Sequence, residues 1–227
     1  MKIGIIVAMT KELNLLLPLL SDPSTKTVDG FTLVSGTIGA AQVCVMQCGI
    51  GKVNAALGCR ALIAEFSPGL IINSGVAGGT GGSAGVLDVV AATAVGYHDV
   101  WCGPGTRPGQ AADCPPLFPC HSEVLSLPAL TDNPAVRFGV MASGNIFVDR
   151  RETVDHVLSL YPDAVGVDME SGAIAQTCFR LGVPFVCLRV ISDTPGEVAD
   201  NGAQYESFWD AAPAESFAII RSIIDQL

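Results

Sequence analysis

The chain has 227 residues, of which 49% are hydrophobic and 15% are charged, and its formal net charge is -10. This acidic balance argues against nucleic acid and against an anionic membrane surface as partners, because both require a basic footprint. The length and the composition instead indicate a single α/β domain over residues 1–227.

The amino-terminal segment and the cysteines indicate a cytoplasmic protein. The apolar run at 3–9 is too short for a signal peptide, and Lys11 and Glu12 follow it without a small-residue cleavage site. No apolar run approaches the roughly eighteen residues of a membrane span. The eight cysteines contain no C-x-x-C pair and the three histidines show no paired ligand spacing, so we expect core thiols and no metal site.

The first half of the chain alternates short apolar segments with helical patterns. Thr10 is the predicted N-cap of a helix that ends at Pro18, and the glycine-rich segment 48–52 is interpreted as a turn because it lacks the spacer and the Ser/Thr of a phosphate loop. The small residues at 74–79 predict a backbone nest for a ligand oxygen. Strands are expected at 2–8, 31–38, 41–47, 70–73 and 87–97, a hairpin turn at 39–40, and a helix through 53–63.

The second half is organised around the segment 165–193, a strand, a helix and a second strand with acidic residues at both strand ends. Residues 102–120 carry five prolines and predict an irregular loop. Residues 194–203 predict a polar loop, and residues 205–227 a closing amphipathic helix interrupted at Pro213. Strands are expected at 138–142, 165–167 and 184–191, and helices from Asp149 to Leu160 and at 171–181.

Three carboxylates follow predicted strands, namely Glu12, Glu170 and Asp193. In open α/β sheets the carboxyl ends of the strands are where ligands bind. Two carboxylates on opposite sides of a scissile bond can divide the work of hydrolysis, one activating water and the other protonating the leaving group. The alternative interpretation is that these three carboxylates have no catalytic role and only cap helices or face solvent. Arg189 lies in an otherwise apolar strand, so we expect it to pair with one of these carboxylates.

Seven short segments occur in order along nearly the whole chain: IGIIVAM at 3–9 with Glu12, CGIGKV at 48–53, NSGVAGG at 73–79, YHD at 97–99, SG at 143–144, VDME at 167–170 and ISD at 191–193. Through these segments the chain resembles the 5′-methylthioadenosine/S-adenosylhomocysteine nucleosidase family, within the nucleoside phosphorylase and nucleosidase superfamily. The resemblance implies a three-layer α/β/α sandwich around a mixed, partly barrel-like sheet, a homodimer, no cofactor, and a place in methionine salvage.

The resemblance also implies a role for each candidate residue. Glu12 would be the base for the attacking water, Asp193 would protonate the purine at N7, and Arg189 would help to orient the water. Glu170 would hold the ribose hydroxyls. The remaining substrate-binding residues would be Met9 beside the 5′ substituent, Val76, Ala77, Gly78 and Ser192 in the wall, Phe147 stacked on the base, Val148 reading its edge through the backbone, Met169 against the sugar, and Tyr205 closing over the base or ribose.

Three features depart from the usual pattern of the family. Val76 replaces a common serine, Asn145 replaces a common aspartate, and the loop at 101–119 differs from the one beside the 5′ group. These departures leave the reaction class in place and leave the preferred 5′ substituent open. If the loop crosses a dimer interface, as the family pattern implies, it could reshape the neighbouring pocket.

Three alternative functions remain open from the sequence. A phosphorylase would need to bind phosphate where Glu12 stands, and that carboxylate would repel the dianion. A futalosine-type or other oxopurine nucleosidase often has asparagine in place of Asp193. A non-catalytic nucleoside-binding protein would keep the fold without turnover.

Overall fold

A computed structural model describes residues 1–197, 201–211 and 214–227. Every strand of the described residues belongs to one mixed sheet. The strands are β1 Lys2–Val7, β2 Ser21–Val28, β3 Phe31–Ile38, β4 Ala41–Gln47, β5 Leu70–Gly79, β6 Val89–Tyr97, β7 Phe118–Pro119, β8 Val136–Ser143, β9 Ala164–Asp168 and β10 Phe185–Asp193.

Five of these strands close into a barrel. The order β10-β6-β8-β9-β5 is completed by a parallel pairing of β10 with β5, and β1, β4, β3 and β2 extend the sheet outward from β5. Gly78 pairs with Asp193 on one side and with Val167 on the other. The ends of β5, β9 and β10 therefore meet at one rim of the barrel.

Helices cover the sheet in two groups. Helix α2 packs against α6, and α8 packs against α1 and α4. The helices are α1 Thr10–Leu16, α2 Lys52–Phe66, α3 Ser122–Leu125, α4 Pro128–Thr131, α5 Arg151–Leu160, α6 Ser171–Leu181, α7 Asn201–Ala211 and α8 Ala214–Ile224, and a 3₁₀ turn covers Leu17–Leu19. The predicted fold class, an α/β/α sandwich around a partly barrel-like mixed sheet, is confirmed.

Several predicted elements have the bounds expected from the sequence. Strands β3 and β4 and helix α6 begin and end as predicted, and β1, β6, β8, β9 and β10 differ from prediction by a few residues. The loop at 102–120 is irregular except for the short strand β7. Strand β2 and the short helices α3 and α4 were not predicted.

Three local predictions were wrong. Met9, not Thr10, is the N-cap of α1, because the Glu12 carboxylate accepts the Met9 N–H while the Thr10 hydroxyl bonds Gln47. Residues 74–79 continue β5 and form no nest, since residues 74–78 pair with β10 and Gly79 pairs with β9. The segment 194–203 is not a polar loop throughout, because α7 begins at Asn201. The predicted closing helix is present as α7 and α8, and the predicted interruption at Pro213 between them lies outside the described residues.

None of the helices in the described ranges is long and apolar enough to cross a membrane.

Candidate active site

A cavity opens at the barrel rim where β1, β5, β9 and β10 end. It collects side chains from distant parts of the chain, from residue 8 to residue 205. Of the thirteen residues proposed from the sequence, twelve line it: Met9, Glu12, Val76, Ala77, Gly78, Phe147, Val148, Met169, Glu170, Ser192, Asp193 and Tyr205. Arg189 does not.

Glu12 is held rigidly at the floor of the cavity. Its Oε2 accepts the N–H groups of Ala8 and Met9, each at 2.9 Å, and its Oε1 accepts the Val76 N–H at 3.0 Å. Burial raises the pKa of the Glu12 carboxyl, and the charge of Arg189 and the three N–H groups oppose this effect without cancelling it. A fixed carboxylate with a raised pKa suits a general base.

Glu170 lies at the other side of the floor, immediately before α6. The N–H of Gly51, at the start of α2, donates to its Oε1 at 2.8 Å. Burial raises the pKa of Glu170 to about 7, and the negative charge of Asp168 acts in the same direction, against the lowering effect of Arg189. Oε2 makes no hydrogen bond among the described residues, so it is available to a ligand hydroxyl.

Arg189 is 1% exposed and lies behind the cavity wall. Its Nη2 is 3.6 Å from the Glu170 carboxylate, which confirms the expected pairing with one of the three carboxylates. The shorter contact, 2.5 Å, is with Asp168, which was not predicted. A Cβ at Gly75 would lie within 2.6 Å of Glu12 Oε1 and closer still to Arg189 Nη1. Glycine at this position therefore allows Arg189 and Glu12 to approach each other across β5.

Asp193 ends β10 and is 2% exposed. The Ser192 hydroxyl donates to its Oδ1 at 2.5 Å and is also 3.2 Å from the Ala77 carbonyl oxygen. Burial raises the pKa of Asp193, and the hydrogen bond from Ser192 only partly offsets the rise. A carboxyl group whose pKa is raised holds its proton more strongly than an exposed one, which suits a proton donor.

Aromatic and sulfur-containing side chains form the upper wall. The Phe147 and Tyr205 rings meet edge to face with centroids 5.8 Å apart, and the Tyr205 hydroxyl lies 3.3 Å from Met9 Sδ. Phe147 is 50% exposed, which leaves ring surface available to a planar ligand. Tyr205 belongs to α7, so this helix covers one side of the cavity.

Five lining residues were not proposed from the sequence. They are Ala8, Ile50, Ile146, Val167 and Asp168. The first four are apolar, and apolar residues carry no signal that separates a pocket wall from a core. Asp168 does carry such a signal, since it is an acidic residue at a strand end, one residue from Met169.

The comparisons with known proteins agree with this geometry. Residues 2–225 match the family model described as Phosphorylase superfamily. A 5′-methylthioadenosine/S-adenosylhomocysteine nucleosidase from Maridesulfovibrio salexigens is 35% identical over 232 residues, which cover 100% of both chains.

Two solved structures extend the likeness to three dimensions. An S-adenosylhomocysteine nucleosidase from Streptococcus pyogenes, in complex with 5-methylthiotubericidin, has a TM-score of 0.94 at 31% identity, over 100% of this chain and 97% of that one. A 5′-methylthioadenosine/S-adenosylhomocysteine nucleosidase from Colwellia psychrerythraea, in complex with adenine, has a TM-score of 0.92 at 33% identity, over 100% and 96%.

The closed barrel and the carboxylate-lined cavity at its rim thus define a member of the phosphorylase superfamily. Within that superfamily, the full-length identity with named relatives shows that the chain belongs to the 5′-methylthioadenosine/S-adenosylhomocysteine nucleosidase family.

Proposed function

We propose that this protein hydrolyses the N-glycosidic bond of 5′-methylthioadenosine and S-adenosylhomocysteine, releasing adenine and the 5′-substituted ribose. One observation carries the choice of hydrolysis. The cavity is lined by four carboxylates, and no lysine, arginine or histidine is among the described residues that line it. A phosphate dianion would be repelled at this site, whereas water would not. The geometry therefore favours water over phosphate as the attacking group.

The carboxylates take separate tasks in this proposal. Glu12 accepts a proton from the attacking water, and Asp193 donates a proton to N7 of the purine as the bond to the sugar breaks. Glu170 accepts hydrogen bonds from the ribose hydroxyls through Oε2, which lies 3.6 Å from Arg189 Nη2 and accepts no hydrogen bond from the described residues. The three N–H groups on Glu12 and the Ser192 hydroxyl on Asp193 hold the two carboxyl groups in fixed orientations.

The apolar residues position the substrate between these carboxylates. Phe147 stacks on the adenine and the Val148 backbone reads its edge, while Met169 packs on the sugar. Met9 borders the 5′ substituent and Tyr205 closes over it. Val76, Ala77 and Gly78 form the wall that β5 contributes.

Arg189 is proposed to act through other residues. It is separated from the cavity, and its side chain bonds Asp168, Ser171 and Asn73. Its positive charge lowers the pKa of Glu12 and of Glu170 and so opposes part of the rise that burial causes. We therefore assign Arg189 a positioning and electrostatic role, in which it influences the attacking water by way of Glu12.

A homodimer is also proposed, with the outer faces of α2 and α6 as its interface. Val53, Leu57, Phe179 and Leu181 are 71%, 59%, 49% and 42% exposed there. An apolar face of this kind marks an interaction surface, and a twofold contact between identical copies is the commonest way to cover it. Ile50 lies just before α2 and lines the cavity, so the partner would lie beside the cavity mouth.

Two broader proposals follow from the same function. A cytoplasmic location is expected for an enzyme that acts on these metabolites. The products, adenine and a 5′-substituted ribose, place the reaction in methionine salvage.

The substrate assignment is tested by incubating the protein separately with methylthioadenosine, S-adenosylhomocysteine, adenosine and inosine, and measuring the free base by chromatography. Adenine release from the two 5′-thio-substituted nucleosides is expected to exceed release from adenosine and hypoxanthine release from inosine. A higher rate with inosine would contradict the proposal in favour of an oxopurine nucleosidase. No release from any of the four would also contradict it.

A further inference from the structure

Three segments that the catalytic assignment leaves unused meet beside the cavity. Lys52 begins α2, Asp99 follows β6, and Asn145 follows β8. Lys52 Nζ lies 2.8 Å from both carboxylate oxygens of Asp99, and the Asn145 N–H donates to Asp99 Oδ2 at 2.7 Å. The Lys52 N–H donates in turn to Asn145 Oδ1 at 3.1 Å. The three residues form a closed ring of hydrogen bonds, which we call the latch.

The charged side chains of the latch are partly buried. The side chains of Lys52 and Asp99 are 25% and 14% exposed, and Lys52 Nζ lies 5.2 Å from the centroid of the Tyr97 ring. Partial burial raises the pKa of Asp99, but the Asn145 N–H and the Lys52 ammonium outweigh it and lower the pKa below its ordinary value. Asp99 is therefore ionised, and the ion pair is present, throughout the neutral range.

Each side of the latch continues directly into the candidate site. On one side, Gly51 precedes Lys52 and donates its N–H to Glu170 at 2.8 Å. On the other side, Asn145 is followed by Ile146, Phe147 and Val148, which line the cavity. The latch therefore joins the segment that holds the ribose carboxylate to the segment that forms the base wall.

The approach of these two segments is close. Gly51 has a φ of +96°, and a Cβ built there would lie 2.9 Å from Asn145 Oδ1. A side chain at position 51 would therefore both strain the backbone and separate the segments. The glycine-lysine pair at 51–52, which resembles part of a phosphate loop in sequence, contacts protein oxygens here.

We propose that Asp99 is a positioning residue whose contacts with Lys52 and Asn145 set the spacing between Glu170 and Phe147. The proposal rests on the proposed function, because it takes Glu170 to hold the ribose and Phe147 to hold the base. A nucleoside spans both groups and senses their spacing. Free adenine contacts only the base wall and does not.

The test compares Asp99→Ala, Lys52→Met and the double variant with the wild type. Asp99→Asn keeps the volume and an oxygen for the Asn145 N–H but removes the charge, and it replaces Asp99→Ala if that variant does not fold. Lys26→Met is the matched control, because Lys26 pairs with Glu65 at the far end of α2, away from the cavity. A partly exposed ion pair contributes little to folding, so we expect thermal midpoints close to that of the wild type.

Each latch variant is expected to raise the KM for methylthioadenosine by at least about tenfold while kcat changes by less than about threefold. The Kd of adenine, measured by calorimetry, should change by less than about threefold. The KM of the double variant should exceed that of the more impaired single variant by no more than about twofold. Lys26→Met should match the wild type in every measurement.

Three results would overturn the assignment of the latch while leaving the proposed function intact. They are an unchanged KM, equal losses for adenine and for the nucleoside, and additive effects in the double variant. Absence of hydrolysis by the wild type would overturn the proposed function, and the latch with it. The wild-type assay therefore separates the two kinds of failure.

Discussion

The three carboxylates proposed for catalysis lie where their burial costs stability. Glu12, Glu170 and Asp193 are at most 5% exposed, and burial raises the pKa of each of them. A carboxylate removed from water is destabilising unless its hydrogen bonds compensate fully. The raised pKa values show that compensation here is partial, as expected of a site built for proton transfer.

Replacing Asp193 by asparagine separates function from folding. Asp193→Asn removes the proton donor while keeping the shape, so we expect adenine release to fall by about 10² to 10⁴-fold, the usual contribution of a general acid. Because the amide carries no buried charge, the thermal midpoint should be at least as high as that of the wild type. Near-normal turnover would remove Asp193 from the acid role.

The pH dependence of kcat/KM follows from the same groups. Glu170 must be ionised to accept both ribose hydroxyls, and its pKa is raised to about 7. Activity is therefore expected to fall as the pH decreases through about 7, well above the ordinary glutamate value of about 4.3. A flat profile between pH 5 and pH 7, as ionisation at about 4.3 would give, would contradict the role of Glu170.

Among the helices and strands, α7 is the last along the chain to contribute a residue to the site. It packs against β10 and carries Tyr205 over the cavity, where the ring contacts Phe147 and Trp209. Lys11 extends the contact from α1, with its Nζ 5.2 Å from the Trp209 ring centroid and 3.5 Å from Glu206. These contacts connect α7 to the segment that supplies Met9 and Glu12.

Tyr205→Ala is expected to weaken substrate binding more than chemistry. The ring is an apolar wall and takes no part in proton transfer, so KM should rise by about tenfold, which corresponds to about 1.4 kcal/mol, with a smaller change in kcat. Steady-state kinetics with methylthioadenosine measures both. Tyr205→Phe is the matched control, since it keeps the ring and loses only the hydroxyl contact with Met9. A loss confined to kcat would contradict a binding role.

Elements were predictable where local signals mark both ends. Turn residues at 29–30 and 39–40 fix the bounds of β3, and Gly182, with a φ of +67°, ends α6. Strand β2 has the sequence SDPSTKTV and seven of its eight residues are exposed. It has no apolar face to predict it and forms a strand because β3 offers it an edge. The small residues that continue β5 were misread because they are common in turns.

At the scale of the whole molecule, the site depends on closure of the barrel. The pattern at 165–193 predicts acids at two strand ends, and Glu12 follows a third strand. No local pattern predicts that β10 pairs with both β5 and β6. This pairing brings the three carboxylates to one cavity. The position of Arg189 behind the cavity wall could not be predicted from a local pattern either, because it depends on packing against Asp168 and Ser171.

The proposed dimer depends on the exposed apolar face of α2 and α6. Leu57→Glu places a charge in the exposed apolar face of α2, so we expect it to convert a dimer to a monomer in sedimentation velocity. Val86→Glu is the matched control, because Val86 is 39% exposed and lies outside that face. A wild-type monomer, or a Leu57→Glu dimer as stable as the control, would contradict the proposed interface.

In the proposed reaction, water activated by Glu12 attacks the nucleoside in a cavity that repels phosphate. The most direct test is the initial rate of adenine release from methylthioadenosine, measured with and without millimolar phosphate, together with identification of the sugar product. We predict the same rate in both conditions and free methylthioribose as the sugar product. Release that required phosphate and yielded a sugar 1-phosphate would contradict the account.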